Sequence, residues 1–580
     1  MAGLSDFQKT VVFCQALNRW HHILGRILAL VSEEALELDA MRLLRCKLDE
    51  KGFLAENLPI YRWGDQDDLV SNKMRRAGID IESGPNQEVF EASEALHELV
   101  DRTPSDSSAP DLAALWRDSV KLIAMIDATP DLHDRVDRSA WGHVANAVER
   151  VVSSQNYVLG EEGLPALAST FAVLERLSAS SYPEQREERV TTISWGNWDV
   201  RVYAAKAWVE LAPRFSVEYP IIVDQIEAAF ADPVAAVRLN VAQNLQVISV
   251  AAPERMWEMA ESVATQESIS EVLAFFLRYS MQRLIHLNLE RCEVLLSIIK
   301  ERLNTDFVGD DERLDHHLFE VFGGWVAQLF VWRGREFVKP WIEEWVADSE
   351  RYGVLLEYFT SSLRVAFFYR YVRDAQQDSR AICDRAQECL SIILRGSIRI
   401  SAYAYQIFVS DVTESDKQVA SKKYRAAENV IHQAMNQLYF GSGANANDRE
   451  SGVGLPDADA MVRFLDDYAE ILSLIATSHE PASLYHLIKL YEFLIPADPV
   501  RVFEAIHDIL LGRGKEEGYH FEFLAVASFV RIVKRYLAEY RTIFENENRR
   551  AKLVAILQLF SDVGWVDALK LLYDLPDLLR

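Results

Sequence analysis

The fold is decided by residues 198–265, WDVRVYAAKAWVELAPRFSVEYPIIVDQIEAAFADPVAAVRLNVAQNLQVISVAAPERMWEMAESVAT. The motif DVRV at 199–202 opens one apolar run and returns as AVRL at 236–239, opening another. A second amphipathic segment follows each copy, with apolar residues three or four positions apart as an α-helix requires. Proline-containing turns are predicted to end the first helix of each copy, at 212–214 and at 252–255. Because one helix pair cannot bury its apolar face alone, we expect neighbouring pairs to stack.

The second copy begins Asp232-Pro233, and a helix opening with Val-Arg follows it. Proline suits the first turn of a helix, and an aspartate before it can accept hydrogen bonds from exposed backbone N–H groups. This arrangement resembles HEAT repeats, and the resemblance is specific for 198–231 and 232–265. It implies an α-solenoid of stacked helix pairs, with a degenerate third pair at 271–287 and 289–303. An irregular helical domain with a chance similarity is the alternative.

The rest of the chain also shows helical rather than strand periodicity, so the predicted class is all-α. Polar segments with Pro, Gly and Ser interrupt the pattern and suggest the following division. We predict an N-terminal helical region at 1–103, HEAT-like repeats at 111–303 and a helical continuation of the solenoid at 312–440. A flexible loop at 441–459 and a C-terminal helical unit at 460–580 follow.

Composition narrows the classes of function. The 580 residues carry a formal net charge of −27, which argues against nucleic acid as a ligand and favours a basic protein partner. Five cysteines without a CxxC pair predict neither a disulfide framework nor a zinc site, and we expect them in helix cores. No secretory signal or membrane span is recognisable, so we expect a cytoplasmic protein that does not bind membranes.

The C-terminal region carries a second resemblance. DPVRVF at 498–503 opens a helix, RIVKRYLAEYR follows at 531–541, and VGW and LLYDL occur at 563–565 and 571–575. This run resembles the helical C-terminal region of large bacterial NTPases of the STAND/NACHT-like kind, several of which act in defence against phage. The resemblance implies a sensor or scaffold role, with an ATPase module that is missing from this chain or lies on a partner subunit.

Catalytic motifs are weak throughout. The run LGRGKE at 511–516 lacks the Ser or Thr that a phosphate-binding loop needs, and a glycine-terminated helix explains it. Asp315-His316-His317 lies in a helical pattern, where adjacent side chains point about 100° apart. His97, His133 and Asp134 leave one enzymatic alternative open, a helical metal-dependent phosphohydrolase of the HD type. We predict a non-enzymatic recognition or scaffold protein with no cofactor and no metal.

Two groups of residues are candidate partner contacts. Trp195 and Trp198 occupy the turn before the first clear repeat, and tryptophan is enriched in interfaces. Near the C-terminus a basic cluster falls within about one helix. It consists of Arg531, Lys534, Arg535 and Arg541. This cluster can dock on an acidic partner surface, and a nucleic-acid-binding solenoid remains a second alternative that requires it to extend into a larger basic groove.

Overall fold

The structure is a computed structural model. It describes residues 84–104, 106–157, 163–184, 199–305, 307, 312–372, 378–445, 454–521 and 523–578, with the backbone alone at 312–316, 523–526 and 577–578. The regular elements within these ranges are helices, which confirms the predicted all-α class. None of the helices described is long and apolar enough to cross a bilayer. The described chain divides into two compact units, unit 1 at 84–184 and 199–215 and unit 2 at 216–578.

Unit 1 is built around a central helix. Its helices are α1 (Pro85–Arg102), α2 (Ala109–Asp127), α3 (Asp134–Ser153), α4 (Leu167–Ser178) and α5 (Val200–Phe215). Helix α3 packs against α1, α2 and α5. Its Val144, Val148 and Val151 are fully buried, as expected for an apolar stripe with a period of three to four residues.

The proline turn predicted at 212–214 is wrong. Helix α5 runs through Pro213 to Phe215. A proline so close to a helix end removes a single intrahelical hydrogen bond. The Arg214 guanidinium holds this last turn in place by donating hydrogen bonds to the backbone carbonyls of Val152, Ser154 and Tyr157. The boundary between the two compact units follows directly after α5, within the first of the two predicted repeats.

Unit 2 consists of helix pairs that stack in two layers. Layer A contains α7 (Ala235–Ala242), α9 (Ser270–Phe275), α12 (Glu312–Ala327), α14 (Ser349–Ser361), α17 (Glu414–Gly441), α20 (Pro481–Leu494) and α23 (Phe523–Glu539). Layer B contains α6 (Ile221–Phe230), α8 (Pro253–Gln266), α11 (Leu289–Leu303), α13 (Lys339–Ala347), α16 (Asp378–Val409), α19 (Ala469–Ile475), α21 (Pro499–Leu511) and α24 (Glu547–Asp562). Each layer-A helix packs on the next helix of its layer, so the stacking expected from the sequence extends through unit 2.

Further helices and single turns complete the described part of the chain. The remaining α-helices are α10 (Met281–Leu287), α15 (Arg364–Phe368), α18 (Ala458–Asp467), α22 (Arg513–Glu516) and α25 (Val566–Leu578). Two π-helical turns, Phe276–Ser280 and Gln328–Trp332, extend α9 and α12. Single 3₁₀ turns lie at Leu245–Ile248, Glu336–Val338, Tyr369–Tyr371, Tyr519–Phe521 and Arg541–Glu545.

The residues of the repeat motif have structural roles. Asp498 accepts a hydrogen bond from the backbone N–H of Arg501 and so caps α21. The Arg501 guanidinium donates to the carbonyl of Leu465 near the end of α18 and therefore joins α21 to α18. In the earlier copy, Arg238 forms a double hydrogen bond with the carboxylate of Glu267. The sequence motif thus marks joints between helix pairs rather than a ligand site.

Candidate protein-binding groove

Two of the four residues of the predicted C-terminal basic cluster, Arg531 and Arg535, are paired with acids of the same chain. Arg531 donates a 2.8 Å hydrogen bond to Glu492, to which Lys489 also donates at 2.9 Å. Burial alone raises the pKa of Glu492, but these two cations outweigh it and hold the pKa below its ordinary value. Arg535 pairs with Glu539 at 3.2 Å. This part of the cluster stabilises the packing of α23 on α20.

The other predicted partner contacts behave differently. Lys534 and Arg541 are exposed, and neither forms an ion pair with a residue that the structure describes. Further along, Lys552 is paired with Glu504, so the basic residues do not continue as an uncompensated stripe. Trp195 and Trp198 lie outside the described residues.

Both histidines of the HD-type alternative have structural roles. The His97 ring stacks on that of His143, with 4.6 Å between centroids. Burial, followed by the proximity of His97, lowers the pKa of His143 to about 4. His133 caps α3, accepting a hydrogen bond from the backbone N–H of Arg135. Among the described residues, no group of three His, Cys, Asp or Glu side chains is arranged to hold a metal ion.

The remaining catalytic motifs are also accounted for by structure. Gly512 follows the last residue of α21 and its backbone N–H bonds to the carbonyl of Asp508, so 511–516 forms the end of α21 and the short helix α22. The side chains of Asp315 and His316 lie outside the described set, and His317 is half-buried at 3.7 Å from Glu320. Cys292, Cys383 and Cys389 are buried, as expected of core positions, while Cys14 and Cys46 fall outside the described residues.

A groove between α8 and α11 has the features of a docking site. Both helices contribute residues at positions i, i+3, i+4 and i+7, the spacing of one helix face. The α8 side is formed by Glu254, Trp257, Glu258 and Glu261, and the α11 side by Arg291, Val294, Leu295 and Ile298. The groove has a volume of about 270 Å³. We call this feature the acidic groove.

One end of the acidic groove is closed by an ion pair. Arg291 donates hydrogen bonds of 3.1 Å to the carboxylate of Glu254, and its guanidinium lies 5.4 Å from the ring centroid of Trp257. These contacts neutralise Glu254. Glu258 and Glu261 are exposed and have no counter-ion among the residues that the structure describes. The open part of the groove therefore carries an uncompensated double negative charge.

Apolar surface lies directly beside these two carboxylates. Val294 is 61% exposed, and Trp257 and Ile298 are half-buried. Acidic groups adjoining exposed apolar side chains on neighbouring helices suit a segment that is both basic and apolar. The helical pattern carries a signal for this face, because Met256, Met259 and Ala260 are spaced as one apolar stripe and are buried, which places Glu258 on the opposite side of α8.

Two other cavities contain charged side chains that are paired within the chain. One of them, with a volume of about 650 Å³, is bordered by Lys489, Glu492 and Arg535, whose charges are paired as described above. In unit 1, a cavity of about 330 Å³ contains Arg138, which is paired with Asp199.

No protein-family model matches the chain, and no curated protein matches it significantly. The proposed function is therefore inferred from the surfaces of the chain itself.

Proposed function

We propose that this protein is a non-enzymatic recognition scaffold whose acidic groove binds a basic, apolar segment of a partner protein. The observation that carries the proposal is the pairing of uncompensated Glu258 and Glu261 with the exposed Val294 on the adjacent helix. Burying such a valine against a partner contributes about 1 kcal/mol, and complementary charge sets the orientation and the rate of association.

The mode of binding follows from the stacked helices. Neighbouring layer-B helices are linked by ion pairs, because Arg255 bonds to Asp224 at 2.9 Å and Lys300 to Glu344 at 2.7 Å. A groove held in this way is preorganised, so that little conformational entropy is lost on binding. HEAT-like architecture supports the proposal, since stacked pairs provide extended surfaces for protein ligands.

The resemblance of the C-terminal region to STAND/NACHT-like NTPases suggests the context. We infer a sensor or scaffold subunit of a bacterial defence-type assembly in which a separate subunit hydrolyses the nucleotide. The neutralisation of Arg531, Arg535 and Lys552 by nearby carboxylates argues against nucleic acid as the ligand, because phosphate binding depends on available positive charge.

Site-specific photo-crosslinking tests the proposal. A photoreactive residue at Val294 should capture a partner through a lysine- or arginine-rich segment, whereas the same residue at the highly exposed Val250 should not. Glu258→Lys with Glu261→Lys should abolish the capture. Glu175→Lys with Glu218→Lys, at two exposed positions outside the groove, should leave it intact. Equal capture at both positions, or nucleotide hydrolysis by the isolated chain, would contradict the proposal.

A further inference from the structure

Helices α16 and α17 form a hairpin that is much longer than the other helix pairs of unit 2. They contain 32 and 28 residues, which correspond to about 48 Å and about 42 Å at ~1.5 Å per residue. They pack against each other along their length. The turn between them is well defined, since the Thr413 hydroxyl accepts a hydrogen bond from the backbone N–H of Asp416 and donates one to its carboxylate at 2.6 Å.

Contacts between this hairpin and the rest of unit 2 end well before the turn. The last ring contacts join Tyr405 and Tyr424 to His479, with centroids 4.5 Å and 6.1 Å apart. Beyond them, residues 406–423 form no hydrogen bond, ion pair or ring contact with a helix outside the hairpin, as far as the described residues extend. The end of the hairpin therefore projects past the helices that support its base.

The projecting end is apolar. Phe408 is 49% exposed, Val409 62% and Val419 51%, and Val412 is also exposed. We call these four residues the hairpin tip. Soluble surfaces rarely concentrate large apolar side chains in this way unless they bind something. None of the described helices of unit 2 covers the tip, and we take a separate molecule as the candidate occupant.

A band of basic residues lies next to the hairpin tip. Arg399, Lys422, Lys423 and Arg425 are exposed, and none of the four forms an ion pair with a residue that the structure describes. We call this band the basic collar. Uncompensated cations are notable in a chain with a net charge of −27, because its acidic residues outnumber its basic ones by 88 to 61. The hairpin tip and the basic collar together form a segment that is both apolar and basic, which is the kind of segment that the acidic groove is proposed to bind.

We propose that the hairpin tip of one copy docks in the acidic groove of a second copy, with Lys422 and Lys423 facing Glu258 and Glu261. Tip and groove do not touch each other within one chain, so the pairing joins two chains. The two surfaces are different, so a pair of copies still has one free hairpin tip and one free acidic groove. Further copies can therefore add head to tail. This inference rests on the proposed function of the groove and names its ligand.

A lipid surface fits the hairpin less well. Apolar tips with basic collars suit anionic membranes, but here Asp411, Glu414 and Asp416 stand exposed at the turn itself. These three carboxylates would enter the anionic headgroup layer before the apolar side chains, at an electrostatic cost. A protein groove that leaves the turn in water avoids that cost.

Mixing two variants tests the proposal by sedimentation velocity. The wild-type chain should form species that grow with concentration. Phe408→Ser with Val409→Ser keeps the groove but loses the tip, while Glu258→Lys with Glu261→Lys keeps the tip but loses the groove. Each variant should remain monomeric, and an equimolar mixture should form a 1:1 dimer that grows no further. The matched control, Glu175→Lys with Glu218→Lys, should assemble as the wild type does.

Two results would overturn self-docking. One is a wild-type chain that stays monomeric at every concentration, or a mixture in which the two variants do not pair. The other is a monomeric chain that sediments with phosphatidylserine vesicles, but not with phosphatidylcholine vesicles, in a manner that depends on Phe408. Either result leaves the groove testable, because capture of a different protein at Val294 would still support the recognition function.

Discussion

The C-terminal basic cluster and the basic collar of the hairpin have similar composition but opposite surroundings. Arg531 and Arg535 are bonded to Glu492 and Glu539 on the same chain, whereas Lys422 and Lys423 face no described carboxylate. The first cluster joins helices together, and the second remains available to another molecule. A run of basic residues therefore indicates an interface only when the fold leaves its charge uncompensated beside exposed apolar surface.

Removing the acid of the C-terminal cluster should have the largest effect on the stability of the fold. Glu492→Ala leaves Lys489 and Arg531 without their main partner, and we expect the free energy of unfolding to fall by about 1–2 kcal/mol. Urea denaturation monitored by circular dichroism measures the change. Lys423→Ala in the basic collar is the matched control and should alter stability by less than about 0.5 kcal/mol. Equal losses in the two variants would remove the distinction between the clusters.

Reversing charge in the basic collar should affect association instead. Lys422→Glu with Lys423→Glu places like charges opposite Glu258 and Glu261, and we expect self-association to weaken at least about tenfold with little change in stability. Sedimentation velocity gives the dissociation constant, and thermal unfolding verifies that the variant is folded. An unchanged dissociation constant would mean that the collar takes no part in docking.

Lowering the pH should weaken the ion pairs of the C-terminal basic cluster. The pKa of Glu492 in the folded chain lies below its ordinary value of 4.5, so its stabilising contribution is complete above that pH and is lost as the pH falls below it. Glu492→Gln should therefore lower stability at neutral pH and reduce its dependence on pH between about 5 and about 3. Urea unfolding at several pH values measures both effects. An identical pH dependence in the two proteins would contradict the pairing of Glu492.

Raising the salt concentration should have the smallest effect of the changes considered. Raising ionic strength from about 0.1 M to about 1 M shortens the Debye length from about 10 Å to about 3 Å and weakens attraction between exposed charges. We expect self-association to fall several-fold, while the difference in stability between wild type and Glu492→Ala persists because that carboxylate is mostly buried. Association that strengthens with salt would indicate a purely apolar contact.

The sequence predicted the class of fold well because helical periodicity is a local property. Leu484, Leu487 and Ile488 have the i, i+3, i+4 spacing of one helix face, and all three are buried in α20. The turn at Pro213 was misplaced, because the contacts of Arg214 that hold the helix end come from residues far back in the chain. The HEAT resemblance itself remains a prediction.

The candidate site was less accessible to prediction. Arg531 and Glu492 lie far apart in the sequence, so their pairing depends on how α23 packs on α20. Phe408 and Val409 belong to an apolar run that looks like an ordinary helix core. Their exposure follows from the length of α16 relative to its neighbours, which the pattern of apolar residues does not encode.

A charge exchange between the basic collar and the acidic groove tests most directly whether the hairpin of one copy docks in the groove of another. A single chain carrying Lys422→Glu, Lys423→Glu, Glu258→Lys and Glu261→Lys restores opposite charges across the proposed contact. We predict that this fourfold variant associates again in sedimentation velocity, while each double variant remains monomeric. If the fourfold variant is as monomeric as the double variants, the basic collar and the acidic groove do not bind each other.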